Sequence, residues 1–187
     1  MYYLGFNTNI DREKKKVDFF WWKDLLKRYL EKGNYFEIRY WKDDSNQQVK
    51  ELMDRYGIYY EEEHMEAVHT GMIDSDFRRD FLENCLDEEG YPIYFTAMIY
   101  KDEKLILSSE HYGLECYLFD FDRESVVLAC DELESRYGIK DIAIYTDEDL
   151  TKEDVQSEEY HFHSLEEGEM EELIHNLEGL VDPNDLH

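Results

Sequence analysis

Proline is nearly absent from this 187-residue chain, which holds only Pro92 and Pro183, and glycine is sparse at nine residues. Long linkers, low-complexity segments and a Gly-rich phosphate loop are thereby excluded. Cysteine is equally scarce. Cys85, Cys116 and Cys130 are odd in number and show no CxxC spacing, so neither a disulfide framework nor a zinc ribbon is indicated, and three reduced thiols are expected. The longest apolar stretches, such as residues 93–100, are strand-sized and fall short of the ~18 residues of a membrane span. With no apolar leader at the N-terminus, the expectation is a cytoplasmic protein. HExxH, G-x-S-x-G and Cys-His arrangements at catalytic spacing are missing too.

Basic residues are the scarcest resource beyond residue 60. Residues 1–60 carry 12 Lys/Arg against 10 Asp/Glu, a net of +2, whereas residues 61–187 carry 8 against 37, a net of −29; the whole chain stands at −27. Acidic disordered chains are poor in aromatics. This one has 16 Tyr, 10 Phe and 3 Trp, so its acid is displayed on a folded core. Such a field repels nucleic acid and anionic membrane and attracts a partner with a basic groove.

The periodicity predicts a single α+β domain over 1–187, near-neutral in 1–60 and strongly acidic in 61–187. Its sheet is expected to be mixed, mostly antiparallel, of six to eight strands, with helices chiefly on one face. Strands are expected near 2–6, 36–41, 58–60, 93–101, 105–110, 114–121, 142–146 and 160–163. Helices are expected at 11–32, 44–56, 74–86, 125–137 and 166–180, those at 11–32 and 125–137 supplying most of the helical core. Residues 61–73 are compatible with strand or loop. The strands between 93 and 121 have connections short enough for an antiparallel meander. Glu51-Leu52-Met53-Asp54-Arg55-Tyr56-Gly57-Ile58 recurs 81 residues later as Glu132-Leu133-Glu134-Ser135-Arg136-Tyr137-Gly138-Ile139. Each copy reads as a helix end with Gly as a left-handed stop, so either a common helix-to-strand device or a duplicated β-α-β unit accounts for it.

Cys116-Tyr117-Leu118-Phe119-Asp120-Phe121-Asp122 is the most enzyme-like string. An apolar strand ending in Asp-x-Asp resembles the first motif of haloacid-dehalogenase-type phosphatases, and residues 142–145 ending at Thr146 resemble the second. The resemblance implies Asp120 and Asp122 as Mg²⁺ ligands of a phosphate-ester hydrolase. Arg123-Glu124-Ser125 departs from the family's small residue and Thr/Val, and the last 67 residues offer no Lys or second Asp pair on a strand. Read as a strand continuing past residue 121, Asp120, Asp122 and Glu124 form a carboxylate row at about 6.6–6.8 Å steps, of the order of phosphate spacing. His161 and His163 beside Glu158 and Glu159, and His64 and His69 around Glu66, are zinc-ligand types without a recognised spacing. No metal or other cofactor is expected. In the basic helix at 11–32, Phe19-Phe20-Trp21-Trp22 cannot all face one side, which predicts exposure of Phe19 or Trp22.

The leading expectation is a non-enzymatic acidic inhibitor or adaptor that occludes the basic groove of a nuclease or other nucleic-acid-binding protein. It would act by nucleic-acid mimicry of the anti-defence or toxin-immunity type, without binding nucleic acid or membrane itself. The expected partner contacts are Asp120, Asp122, Glu124, Asp147, Glu148, Asp149, Glu153, Asp154, Glu158 and Glu159. The Mg²⁺-dependent hydrolase, and an acidic structural domain whose charge serves only solubility, are the alternatives.

Overall fold

Period-two alternation builds the sheet. In β2 (Tyr35–Trp41), Phe36, Ile38 and Tyr40 point one way into the core while Tyr35, Glu37, Arg39 and Trp41 point the other. The computed structural model describes residues 1–7, 19–42, 47–61 and 66–146, all within the compact unit Met1–Asp149. In chain order the remaining elements are β1 (Tyr2–Asn7), α1 (Phe20–Lys32), α2 (Gln47–Met53), β3 (Ile58–Glu61), β4 (Glu66–Met72) and α3 (Ser75–Asn84), followed by β5 (Thr96–Lys101), β6 (Lys104–Glu110), β7 (Glu115–Phe121), α4 (Arg123–Tyr137) and β8 (Ala143–Thr146). Residues 61–73, open between strand and loop in sequence, contain the end of β3 and all of β4. The expected strand at 160–163 and helix at 166–180 lie outside the described residues.

The strands form one eight-stranded sheet ordered β3-β4-β2-β5-β6-β7-β1-β8. Every pairing is antiparallel. The sheet is therefore of α+β type as expected, without the parallel neighbours a mixed sheet would have. β2-α2-β3-β4-α3-β5, with strand order β3-β4-β2-β5, is a split β-α-β, or ferredoxin-like, arrangement. β6-β7-β1-β8 repeats that order with chain drawn from both ends, and α4 crosses from β7 to β8 over β1 as α2 crosses from β2 to β3 over β4. The repeated octapeptide thus ends the equivalent crossover helix in each half. The two ends differ in detail: Gly138 takes the left-handed conformation at φ 67°, whereas Gly57 does not. The halves meet at the β5–β6 hairpin, whose two-residue turn puts Asp102 and Glu103 at φ 48° and 67°, the signature of a type I′ turn.

All four described helices feed one core on one face of the sheet. Trp22, Leu25, Leu26, Tyr29 and Leu30 of α1, Val49, Leu52 and Met53 on α2, Phe77 and Phe81 of α3, and Val126 and Leu133 of α4 join Leu4, Phe36, Ile38, Ile99, Leu107 and Leu118 from the strands. Trp22 donates its indole N–H to Ser109 Oγ at 2.7 Å, which satisfies the one polar atom that such deep burial would otherwise orphan. Neither Phe19 nor Trp22 is exposed, contrary to expectation. Helix α1 starts at Phe20, so Phe19 sits in the cap position and folds back against Trp21 and Tyr91, and Phe20 is the ring left 74% exposed. Helix α4 fully buries only Val126 and Leu133, with Ala129, Cys130 and Tyr137 partly buried against the core; the stacked rings come from α3.

The opposite face carries no described helix. Its β8-β1-β7 end holds Tyr145, Tyr3 and Phe119 stacked in series, with ring centroids 4.9 and 5.6 Å apart. Gly5 makes this ladder possible, because a Cβ there would meet the Tyr145 and Tyr117 rings at 2.9 and 3.0 Å. No helix among the described residues is long and apolar enough to cross a membrane.

Candidate partner-docking surface

The sequence expectation for residues 120–124 rests on uninterrupted alternation along β7, and the pairing with β1 breaks it. Leu4 pairs with Leu118 but Tyr2 pairs with Phe121, so three steps on β7 oppose two on β1. Asp120 is the extra residue, at φ 70°, a β-bulge that returns Phe121 to the helix-covered face beside Tyr2. The strand ends there. Asp122 is the N-cap of α4: its Oδ1 accepts from the backbone N–H groups of Glu124 and Ser125 at 3.0 and 2.7 Å. The Ser125 hydroxyl also donates to that oxygen at 2.7 Å and accepts from the Asp122 N–H at 2.9 Å, closing a capping box. The Ser125 backbone bond foremost holds the Asp122 carboxyl below its ordinary pKa.

Asp120, Asp122 and Glu124 are therefore all exposed, but they occupy a bulge, a cap and a first helical turn. The phosphate-like row does not form. The Asp-x-Asp pair is likewise not presented as two strand-end ligands, since Asp122 spends one oxygen on three hydrogen bonds to its own helix. The cap gives a direct test. Asp122→Ala should cost about 1 kcal/mol of stability, whereas Asp120→Gly, which suits the left-handed backbone, should change it by less than about 0.5 kcal/mol. Urea unfolding of both variants measures the difference.

What the sequence did not reveal is the outer face of α4. Its apolar residues lie on two sides, Val126 and Leu133 inward at 3% exposure and Val127 and Leu128 outward at 53% and 68%. Glu124 precedes Leu128 by four positions, Asp131 follows Val127 by four, and Glu134 follows Asp131 by three, all three acids being exposed. Spacings of three and four share a helix face, so two exposed aliphatic side chains are bracketed by carboxylates. Arg123 and Arg136 are the exposed cations of the helix. Arg136 is engaged with Asp24 at 2.8 Å and Glu132 at 3.5 Å. At the C-terminal end, Asp131, Glu134, Ser135, Gly138 and Lys140 line a depression of about 480 Å³.

The inner seam fixes how this face is presented. Arg28 of α1 grips Glu132 with both guanidinium nitrogens at 2.8 Å, and the Tyr137 hydroxyl donates to Asp24 at 2.6 Å. The Tyr137 bond is the leading cause of the lowered Asp24 pKa, and the bond from Arg28 that of the lowered Glu132 pKa. A bidentate clamp plus a phenol bond defines the rotation of α4 about its axis.

Of the other expected contacts, Asp147, Glu148, Asp149, Glu153, Asp154, Glu158 and Glu159 lie outside the described residues, as do His64, His161 and His163. Glu66 and His69, three apart on β4, face opposite sides of the sheet. Glu66 meets Arg39 at 3.4 Å on the open face, and His69, fully buried, meets Asp54 at 3.0 Å through Nε2 and the Tyr40 hydroxyl at 3.4 Å through Nδ1 on the covered face. Odd spacing on a strand cannot bring two ligands to one ion.

Fold and surface together define an antiparallel α+β protein with one helix-covered face and an outward acidic–aliphatic helix. Comparison with known proteins finds no matching family, no matching curated protein and no matching solved structure.

Proposed function

We propose that this protein is a non-enzymatic acidic binder that docks on the basic groove of a nucleic-acid-acting protein and blocks it. The observation that carries the reading is the pairing of Val127 and Leu128, exposed on α4, with Glu124, Asp131 and Glu134 around them. Exposed aliphatic anchors flanked by three carboxylates, with Arg123 four positions before Val127 as the one cation beside them, fit a partner surface that is apolar at its centre and chiefly basic at its rim. The chain's net charge of −27 would draw such a partner from beyond contact distance. Occlusion here comes from bulk charge and a helix face, and the regular strand-borne copy of a phosphate backbone forms no part of it.

Direct binding of single-stranded nucleic acid to the open sheet face is the competing use of an aromatic sheet. Two features weigh against it. Tyr145, Tyr3 and Phe119 stack on one another at interplanar angles of 12° and 17°, which consumes the ring faces a base would need, and the protein's field opposes a polyanion.

Capture from a cell lysate at low salt, followed by a salt gradient, tests the proposal. The expected result is a nucleic-acid-binding protein that elutes as salt rises, is displaced by duplex DNA or RNA, and is lost with a Glu124→Gln/Asp131→Lys/Glu134→Lys variant. Identical capture by the variant would exclude α4 as the docking face.

A further inference from the structure

We infer a divalent transition-metal site of the zinc type at the β6–β7 hairpin, formed by Glu110, His111 and Glu115 on the open face of the sheet. One ligand atom from each of the three lies within 4.8 Å of the others. His111 Nδ1 is 3.3 Å from Glu115 Oε1. Two ligands on a tetrahedral ion with bonds of about 2.0–2.1 Å stand roughly 3.3–3.4 Å apart, so this pair already has the spacing of a coordination edge. One imidazole and two carboxylates are a ligand set that zinc accepts, with the fourth position left toward solvent.

The ladder itself calls for a cation. Glu110 and Glu115 are direct cross-strand partners, a placement in which like charges repel, and Glu110 is only 8% exposed. Burial of Glu110 weakens the screening that water gives a surface pair, although the Glu115 side chain is 33% exposed. The Arg39 guanidinium, on the same face, is held by Glu37 at 2.6 Å and Glu66 at 3.4 Å. A bound metal ion would relieve the repulsion while using all three side chains.

Supporting contacts are in place. Ser108 Oγ donates to Glu110 Oε1 at 2.8 Å, fixing one carboxylate oxygen from behind as outer-shell groups do. The His111 ring stands edge-on to Phe95 at 5.2 Å, which orients the imidazole. The turn places His111, Tyr112 and Gly113 in the left-handed region at φ 50°, 58° and 78°. Read as a hairpin connection alone, His111-Tyr112-Gly113 gave no hint of a site, because the ligands sit at positions 1, 2 and 6 of a loop whose closure makes them neighbours. This site is independent of the α4 surface.

Calorimetric titration of the chelator-treated full-length protein with Zn²⁺, in 0.15 M salt and excess Mg²⁺ to saturate weak acidic sites, tests the inference. The expected result is one stoichiometric site, a visible Co²⁺ absorption of four-coordinate intensity, and at least tenfold weaker binding in Glu110→Gln, Glu115→Gln and His111→Asn. Asn tolerates the left-handed backbone at residue 111, and Glu83→Gln, at an exposed acid of α3, serves as the acidic control with unchanged binding. In the unaltered protein, one equivalent of Zn²⁺ should shift the His111 imidazole resonances, a readout that survives if a variant fails to fold. Absence of a stoichiometric site, or unshifted His111 resonances at saturation, overturns the assignment.

Discussion

Phe77→Ala should destabilise the protein by about 3–5 kcal/mol, the range for emptying a buried aromatic site. Phe77 is fully buried and lies flat on Phe36 of β2 with centroids 4.0 Å apart and planes 4° from parallel. It also stacks on Phe81 at 5.2 Å and meets the Tyr56 ring edge-on at 5.6 Å, and Phe81 stacks on Tyr94 at 4.8 Å. Removing the ring therefore strips one face of three aromatic contacts at once, where the sheet strand beneath is too constrained to close the gap. With total stabilities of about 5–15 kcal/mol common for domains, the variant should unfold at a much lower urea concentration or fail to fold at 37 °C. Phe20→Ala, on a ring 74% exposed, should stay within about 0.5 kcal/mol. Equal midpoints for the two variants in urea would contradict the core described above.

These two phenylalanines show where sequence reading succeeds and where it stops. Helix α3 was legible: Asp74 before an amphipathic run is an N-cap signal, and its carboxylate does accept from the Phe77 N–H at 2.7 Å. That Phe77 would find Phe36 was not legible, because strand order decides it and no local pattern encodes strand order. The same limit governed residues 19–22, expected inside a helix over 11–32, where Phe19 is instead the cap of α1 and Phe20 is the ring on the outside. It governed β7 too. The alternation from Cys116 to Phe119 was read correctly, and the bulge at Asp120 follows from the register against β1, a strand more than a hundred residues earlier. The site that matters most was hidden for a related reason. Val127 and Leu128 lie in a helix expected to be a major contributor to the core, and the packing of α4 over β1 and β7 leaves them outward. Glu110, His111 and Glu115 stood out by no ligand spacing, because spacing along the chain cannot register two strands folding back on each other.

The partner complex should separate rim from anchor on α4, with effects on different rate constants. Glu124→Gln/Asp131→Lys/Glu134→Lys makes the surface five charges more positive, so the association rate with the captured basic partner should fall by about 10–10³ at low ionic strength. The dependence of that rate on salt should flatten in parallel. Gln rather than Lys is used at residue 124 because a cation in the first turn would oppose the helix dipole and confound binding with folding. Leu128→Ala leaves the charge untouched and removes the more exposed of the two aliphatic anchors. Its expected effect is a dissociation rate raised about tenfold, near 1.4 kcal/mol, with association little changed. Both variants alter exposed side chains, and their urea midpoints should match the parent within about 0.5 kcal/mol. If the acidic variant instead changed only dissociation, or Leu128→Ala had no effect, the carboxylates and the aliphatic pair would not belong to one interface. The acid on α4 would then serve solubility, as the structural-domain alternative requires.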